Sequence, residues 1–215
     1  MGFKSRRAVQ LIFLGAFVLL MVKGRIQLWM AVFLIGLIGA AFFGRFYCGY
    51  VCPINTLTEG IDWLYQKMGI KRKEVPGWVK SKAVRFGILL LFLATMVITL
   101  RTGRKLPVLP ILTALGVIIS LIYVPSLWHR YLCPYGTLLN MTGSLSKYYW
   151  RVDEENCKKC GVCERLCPAE ALTMSGKDGY PVIDKGLCLE CTTCADACPT
   201  NSIVYSKGRP ESAKV

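Results

Sequence analysis

Apolar positions in the first 149 residues fall in long unbroken blocks, unlike the one-sided stripes or alternation of a soluble domain. Four blocks stand out, residues 8–22, 26–43, 86–100 and 106–124, and none contains Asp, Glu, Lys, Arg or His. An 18-residue helix rises about 27 Å, close to the roughly 30 Å hydrocarbon core of a bilayer, so each block predicts a membrane-spanning helix. The first and third blocks are the shorter two and are expected to borrow flanking residues such as Arg7 or Arg85 as snorkelling ends. A cleaved signal peptide is the weaker reading of the first block. No small-residue cleavage site follows it, and the second block begins within four residues.

Beyond the second block, Thr56 and Glu59 form a capping-box pattern, with Leu57, Ile61, Leu64 and Met68 at helical spacing. This predicts an amphipathic helix on the membrane surface, its basic tail suited to anionic lipid or an acidic partner. From position 150 onward there are no such blocks. Segments 149–153, 180–184 and 203–205 read as short strands of a small β/α sandwich. The pattern therefore divides the chain into a four-span membrane domain, 1–149, and a small α+β domain, 150–215.

Composition agrees with that division. The chain is 53% hydrophobic with a mean hydropathy of +0.42. Its net charge of +14 is uneven, with 18 Lys and Arg against 3 acids in residues 1–149, and 9 against 10 in residues 150–215. The cations flank the apolar blocks instead of lining one face, which favours positive loops beside membrane spans over nucleic-acid binding. Lys4, Arg6, Arg7 and the basic 44–85 loop place both termini and the long loop in the cytoplasm of a multi-pass cell-membrane protein, with tight outer turns at 23–25 and 101–105. Trp29, Tyr47, Tyr50, Trp128 and Tyr131 then fall at the interfaces. Without ionisable residues in its spans, the chain alone is not expected to conduct protons.

Eight of the 11 cysteines lie between Cys157 and Cys198. They form Cys157-x2-Cys160-x2-Cys163-x3-Cys167-Pro168 and, at a constant offset of 31, Cys188-x2-Cys191-x2-Cys194-x3-Cys198-Pro199. Three cysteines at steps of three supply three thiolates to a cubane, and in this bacterial ferredoxin pattern the fourth comes from the other run. Cys157, Cys160, Cys163 and Cys198 are thus expected to hold one [4Fe–4S] cluster, and Cys188, Cys191, Cys194 and Cys167 the other. Zinc also accepts paired C-x2-C, but it requires neither the third cysteine nor the prolyl fourth, twice over. So small a domain has little core, and cluster binding is expected to supply much of its folding free energy.

A second repeat, at an offset of 81, matches Cys48-x3-Cys52-Pro53 with His129-x3-Cys133-Pro134. Both follow even-numbered spans, which suggests two helical hairpins related by an axis along the membrane normal. In Gly44-Arg45-Phe-Tyr-Cys48-Gly-Tyr-Val-Cys52-Pro53 and Arg130-Tyr-Leu-Cys133-Pro134-Tyr-Gly136 the chain resembles membrane proteins of the NapH/NosR type. These are quinol-dehydrogenase subunits with several spans, two C-x3-C-P motifs and a two-cluster ferredoxin domain. His129, the only histidine, departs from that pattern where a cysteine is expected. Two readings stand. Cys48, Cys52, His129 and Cys133 hold a further iron–sulfur cluster or single metal, imidazole being able to replace thiolate at iron, or the thiols serve redox exchange or packing.

The resemblance implies electron relay between a membrane quinone pool and a protein partner, in an oxidoreductase subunit rather than a stand-alone enzyme. The alternatives are a membrane anchor and electrical wire of a larger complex exchanging electrons with other redox subunits or soluble ferredoxin, and a maturation reductase for a metal or cofactor. No phosphate loop is present, and one histidine at a membrane edge allows no Ser–His–Asp site.

Overall fold

The computed structural model describes residues 3–102, 107–176 and 179–207. The turn expected at 101–105 and the first residue of the fourth block lie in part outside these. Four long helices form the apolar half: α1 (Phe3–Val22), α2 (Leu28–Phe43), α4 (Lys82–Thr102) and α5 (Val108–Ile122). A further helix follows each pair, α3 (Pro53–Met68) after α2 and α6 (Pro134–Gly143) after α5. Both begin at proline, whose missing N–H costs nothing in a first turn.

A π-turn precedes each of these prolines. In the first, the Cys52 N–H donates to the Tyr47 carbonyl at 2.9 Å; in the second, the Cys133 N–H donates to the Trp128 carbonyl at 2.9 Å. Each bond spans five residues, and the two are offset by 81, so the repeat legible in the motifs extends through the whole half. The halves interlock. Helix α3 packs on α5 and α6 on α2, each crossing to the other repeat. Glycine permits the close approach, because a Cβ on Gly116 would lie 2.8 Å from Ile54 and 2.9 Å from the Trp128 ring. On the other side Tyr135 meets Phe33 edge-on, with ring centroids 4.6 Å apart.

Helices α1 (over Ser5–Val22) and α4 (over Lys82–Thr99) are long and apolar enough to cross a membrane, while α2 and α5 are shorter apolar helices. All four carry large apolar side chains on their outer surfaces. Ile12, Ile35, Leu90 and Ile111 are 69, 70, 71 and 58% exposed. An apolar belt this extensive is not the surface of a soluble monomer.

Several sequence expectations change. Trp29, Tyr47, Trp128 and Tyr131, expected at the interfaces, are buried within the protein, and the first π-turn folds back along α2. Tyr47 lies against Gly36, and the Trp29 indole donates to its hydroxyl at 2.8 Å. Helices α1 and α4 extend past their apolar blocks to take in Arg7 and Arg85, and both cations have partners. Arg7 pairs with Glu59 at 3.3 Å, and the Arg85 Nε donates to the Thr137 hydroxyl at 3.3 Å. Helix α3 does not lie on the surface along its length, since Pro53–Thr58 holds five buried residues and only the later turns expose Trp63, Leu64 and Met68.

The remaining residues form β1 (Tyr148–Val152), α7 (Val162–Leu166), β2 (Leu172–Met174), β3 (Pro181–Ile183), α8 (Thr193–Asp196) and β4 (Ile203–Lys207). Strands β1 and β4 pair antiparallel from Tyr148↔Lys207 to Val152↔Ile203, and β2 pairs with β3. At an offset of 31 this is strand–helix–strand repeated, each half completing the other's sheet. The repeat reaches the backbone, for Lys159 and Glu190, Gly161 and Thr192, and Glu170 and Asn201 all have positive φ. This unit sits on the ends of α2 and α6. The Lys147 N–H donates to the Phe42 carbonyl at 3.2 Å, and the Tyr205 hydroxyl donates to the Phe43 carbonyl at 3.0 Å.

Candidate metal centres

The short turns around these positive-φ positions direct cysteines inward around two small cavities. One is ringed by Cys167, Cys188, Cys191 and Cys194, with Trp150, Leu172 and Leu189. The other is ringed by Cys157, Cys160, Cys163 and Cys198, with Val152, Pro181 and Ile203. In both, the cysteine that precedes proline comes from the opposite run, because the exchanged strands carry it across.

The cavities differ in exposure. Cys188, Cys191 and Cys194 are buried, and their cavity faces the helical half; this is the proximal cavity. Around the distal cavity Cys157, Cys163 and Cys198 are half-buried and Cys160 is exposed.

Local donors suit thiolate. The Ala171 N–H donates to Cys167 Sγ at 3.2 Å. Burial by itself raises the Cys198 thiol, but the Ser202 and Thr200 hydroxyls, at 3.3 and 3.6 Å, and their backbone N–H groups outweigh it and bring the thiol down to about 7. Among the described residues no three His, Cys, Asp or Glu side chains converge as one metal ion requires. A cubane makes no such demand, since each thiolate binds a separate iron corner, whereas tetrahedral zinc needs all four at one point. The residues present fit iron–sulfur clusters.

Where the two halves meet, the first π-turn presses on the proximal loop. A Cβ on Gly49 would fall 2.5 Å from the Leu189 carbonyl oxygen, so only glycine allows the contact. Behind this turn lies a second cysteine group, the motif site. Burial pushes the Cys52 thiol up, and the neighbouring Cys48 and Cys133 thiols push it further. Burial and Cys48 likewise raise Cys133 to about 12, against the pull of the Gly136 N–H, which donates to its Sγ at 3.3 Å, and of Arg45. The three thiols thus lie within electrostatic reach of one another.

His129 is buried beside them, and burial with the nearby Arg45 lowers it to about 3, leaving a neutral ring. Its Nε2 is 3.3 Å from the Thr58 hydroxyl. That hydroxyl donates its own proton to the Asn55 carbonyl at 3.1 Å. A ring protonated at Nε2 fits this network and would leave the Nδ1 lone pair available for a ligand.

Glu59 fixes the rest of the turn. It accepts from Arg6 at 2.8 Å, from Asn55 at 2.9 Å and from Gln10 at 3.2 Å, and Gln10 also donates to the Gly49 carbonyl at 2.9 Å. Sequence reasoning missed Arg45, Thr58 and Glu59 as parts of this site. Arg45 read as one more loop cation, Thr58 had no signal, and Glu59 read only as a helix cap. A further residue is Glu190, inside the Cys188–Cys191 loop, which burial raises to about 8 against the opposing Trp150 indole.

Cysteine cavities of this shape on exchanged strands define a ferredoxin-type iron–sulfur protein. A 4Fe-4S dicluster domain matches residues 156–202, and a 4Fe-4S binding domain matches twice, at residues 26–71 and 106–151. The chain belongs to the NapH-type family of 4Fe-4S electron-transport proteins. It is 29% identical to the ferredoxin-type protein NapH of Haemophilus influenzae, over 66% of this chain and 57% of that one. An uncharacterized protein of Methanocaldococcus jannaschii is 31% identical over 64% of this chain and 56% of its own length. The putative electron transport protein YccM of Escherichia coli is 25% identical over 57% and 41%. The chain thus spans about half the length of these curated relatives. No solved structure matches.

Proposed function

We propose that the chain is a multi-pass subunit of the cell membrane that relays electrons between a quinone pool and a protein partner. The observation that carries this reading is the linear order of three cysteine groups. The exposed distal cavity, the buried proximal cavity and the motif site follow one another from the surface into an apolar helical half. Bound iron–sulfur clusters would supply one-electron steps without making or breaking bonds.

Cys157, Cys160, Cys163 and Cys198 would hold the distal [4Fe–4S] cluster, and Cys167, Cys188, Cys191 and Cys194 the proximal one. Cys48, Cys52 and Cys133, with His129 through Nδ1, would hold a third. The apolar belt on α1, α2, α4 and α5 supports four immersed helices. Helices of 16 and 15 residues reach about 24 and 22 Å. Basic residues in the 44–85 loop support a cytoplasmic position for the site and the clusters.

Reconstitution in liposomes with a short-chain quinol tests the relay. Cluster absorbance is expected to bleach with quinol, and to recover with an oxidised soluble ferredoxin. The half-exposed distal group favours one other reading, an anchor and wire within a larger redox complex. Bleaching by dithionite and reduced ferredoxin but never by quinol would reject the quinone relay in favour of that role.

A further inference from the structure

Arg45 is 1% exposed, and among the described residues no carboxylate pairs with it. A buried guanidinium without a counter-charge is costly, so its neighbours must supply one. Its Nη2 donates to Cys48 Sγ at 3.6 Å. Its Nη1 reaches the carbonyls of Gly186 and Leu187, at 3.4 and 3.3 Å, immediately before Cys188 of the proximal loop. Glycines enclose the side chain. A Cβ on Gly136 would lie 2.8 Å from Nη2, and one on Gly143 would lie 3.0 Å from Cγ. This is a fitted slot, and it spans the joint between the two halves.

The repeat gives an independent argument. At an offset of 81, Arg45 corresponds to Ser126 and Cys48 to His129. A cation therefore accompanies Cys48, which offers a thiolate where the other repeat has His129. An uncharged hydroxyl accompanies the half that offers a neutral imidazole, which needs no counter-charge.

We infer that Arg45 is the built-in counter-cation of the motif site and sets the reduction potential of the group bound there, while tying that site to the proximal loop. It is a positioning residue, and the inference rests on the reading of Cys48, Cys52 and Cys133 as ligands. A fixed positive charge stabilises the more negative, reduced form of a thiolate-bound cluster, so its removal lowers the potential.

The test is an EPR-monitored redox titration of the full chain in detergent, purified anaerobically. Wild type is compared with Arg45→Lys, Arg45→Gln and Arg45→Met. The neutral variants are expected to move the motif-site signal to lower potential, or to lose its iron while keeping the ferredoxin iron. Arg45→Lys is expected to hold the signal near its wild-type position, with the distal cluster unmoved in every variant. An unshifted signal in either neutral variant would overturn the inference, as would a shift in Arg45→Lys equal to theirs. If neither neutral variant accumulates, Arg45→Lys decides alone, retention near the wild-type potential supporting the inference and displacement or loss overturning it. Absence of a third signal from wild type would instead overturn the ligand reading beneath it, so the two failures are distinguishable.

Discussion

Thr58 shows how much a single hydroxyl decides at this site. It lies 3.3 Å from His129 Nε2 and donates to the Asn55 carbonyl, a position suited to orienting the imidazole as outer-shell partners do around metal-bound histidine. Thr58→Val is expected to weaken iron retention at the motif site about 10- to 100-fold, with the ferredoxin iron unchanged. Competition against a chelator reads the difference, and equal retention would remove Thr58 from the site. Gly49→Ala acts on the joint. Its methyl group would meet backbone at 2.5 Å, so a cost of about 1–3 kcal/mol is expected, together with slower electron exchange between the proximal and motif groups. Thermal melting and rapid-mixing kinetics measure the two effects. At this scale the cysteines were legible because cluster chemistry imposes strict local spacing. Thr58 and Arg45 were not, because their roles depend on contacts 71 and 141 residues away.

The helices and the crossing strands follow from pattern, while their packing does not. Uninterrupted apolar blocks announced α1, α2, α4 and α5, and the π-turns had no comparable mark, since they obey contacts with neighbouring helices. The same contacts draw Trp29 and Tyr47 inside, although aromatic residues beside apolar blocks read as interfacial. Helix α3 was misread for a related reason. Its apolar spacing suggested a surface helix, but Asn55, Thr58 and Glu59 on its other face are the groups that build the interior of the site. Gly36→Ala tests the fold-back, because its Cβ would lie 2.6 Å from the Tyr47 ring. The variant is expected to lose about 1–3 kcal/mol of stability in a detergent melt. A melt matching wild type would show that Tyr47 does not need the space.

The whole molecule is built from two internal duplications, with offsets of 81 and 31, and both interlock. In the helical half α3 and α6 each pack on the other repeat, and in the ferredoxin half each run sends its last cysteine to the other cavity. Interlocking brings residues distant in sequence to one place, so each ferredoxin cavity draws cysteines from both runs and neither run is complete alone. The motif repeat made the offset of 81 visible, but the crossing of α3 and α6 required the packed structure. The central claim is that a third redox group lies at Cys48, Cys52, His129 and Cys133, in line with two cubanes. The most direct measurement is iron and sulfide per chain after anaerobic purification, with EPR during stepwise reduction, in wild type and Cys52→Ser. The account predicts clearly more iron than the roughly eight of two cubanes, and an additional signal that Cys52→Ser removes. About eight irons in both proteins, with identical cubane spectra, would contradict it.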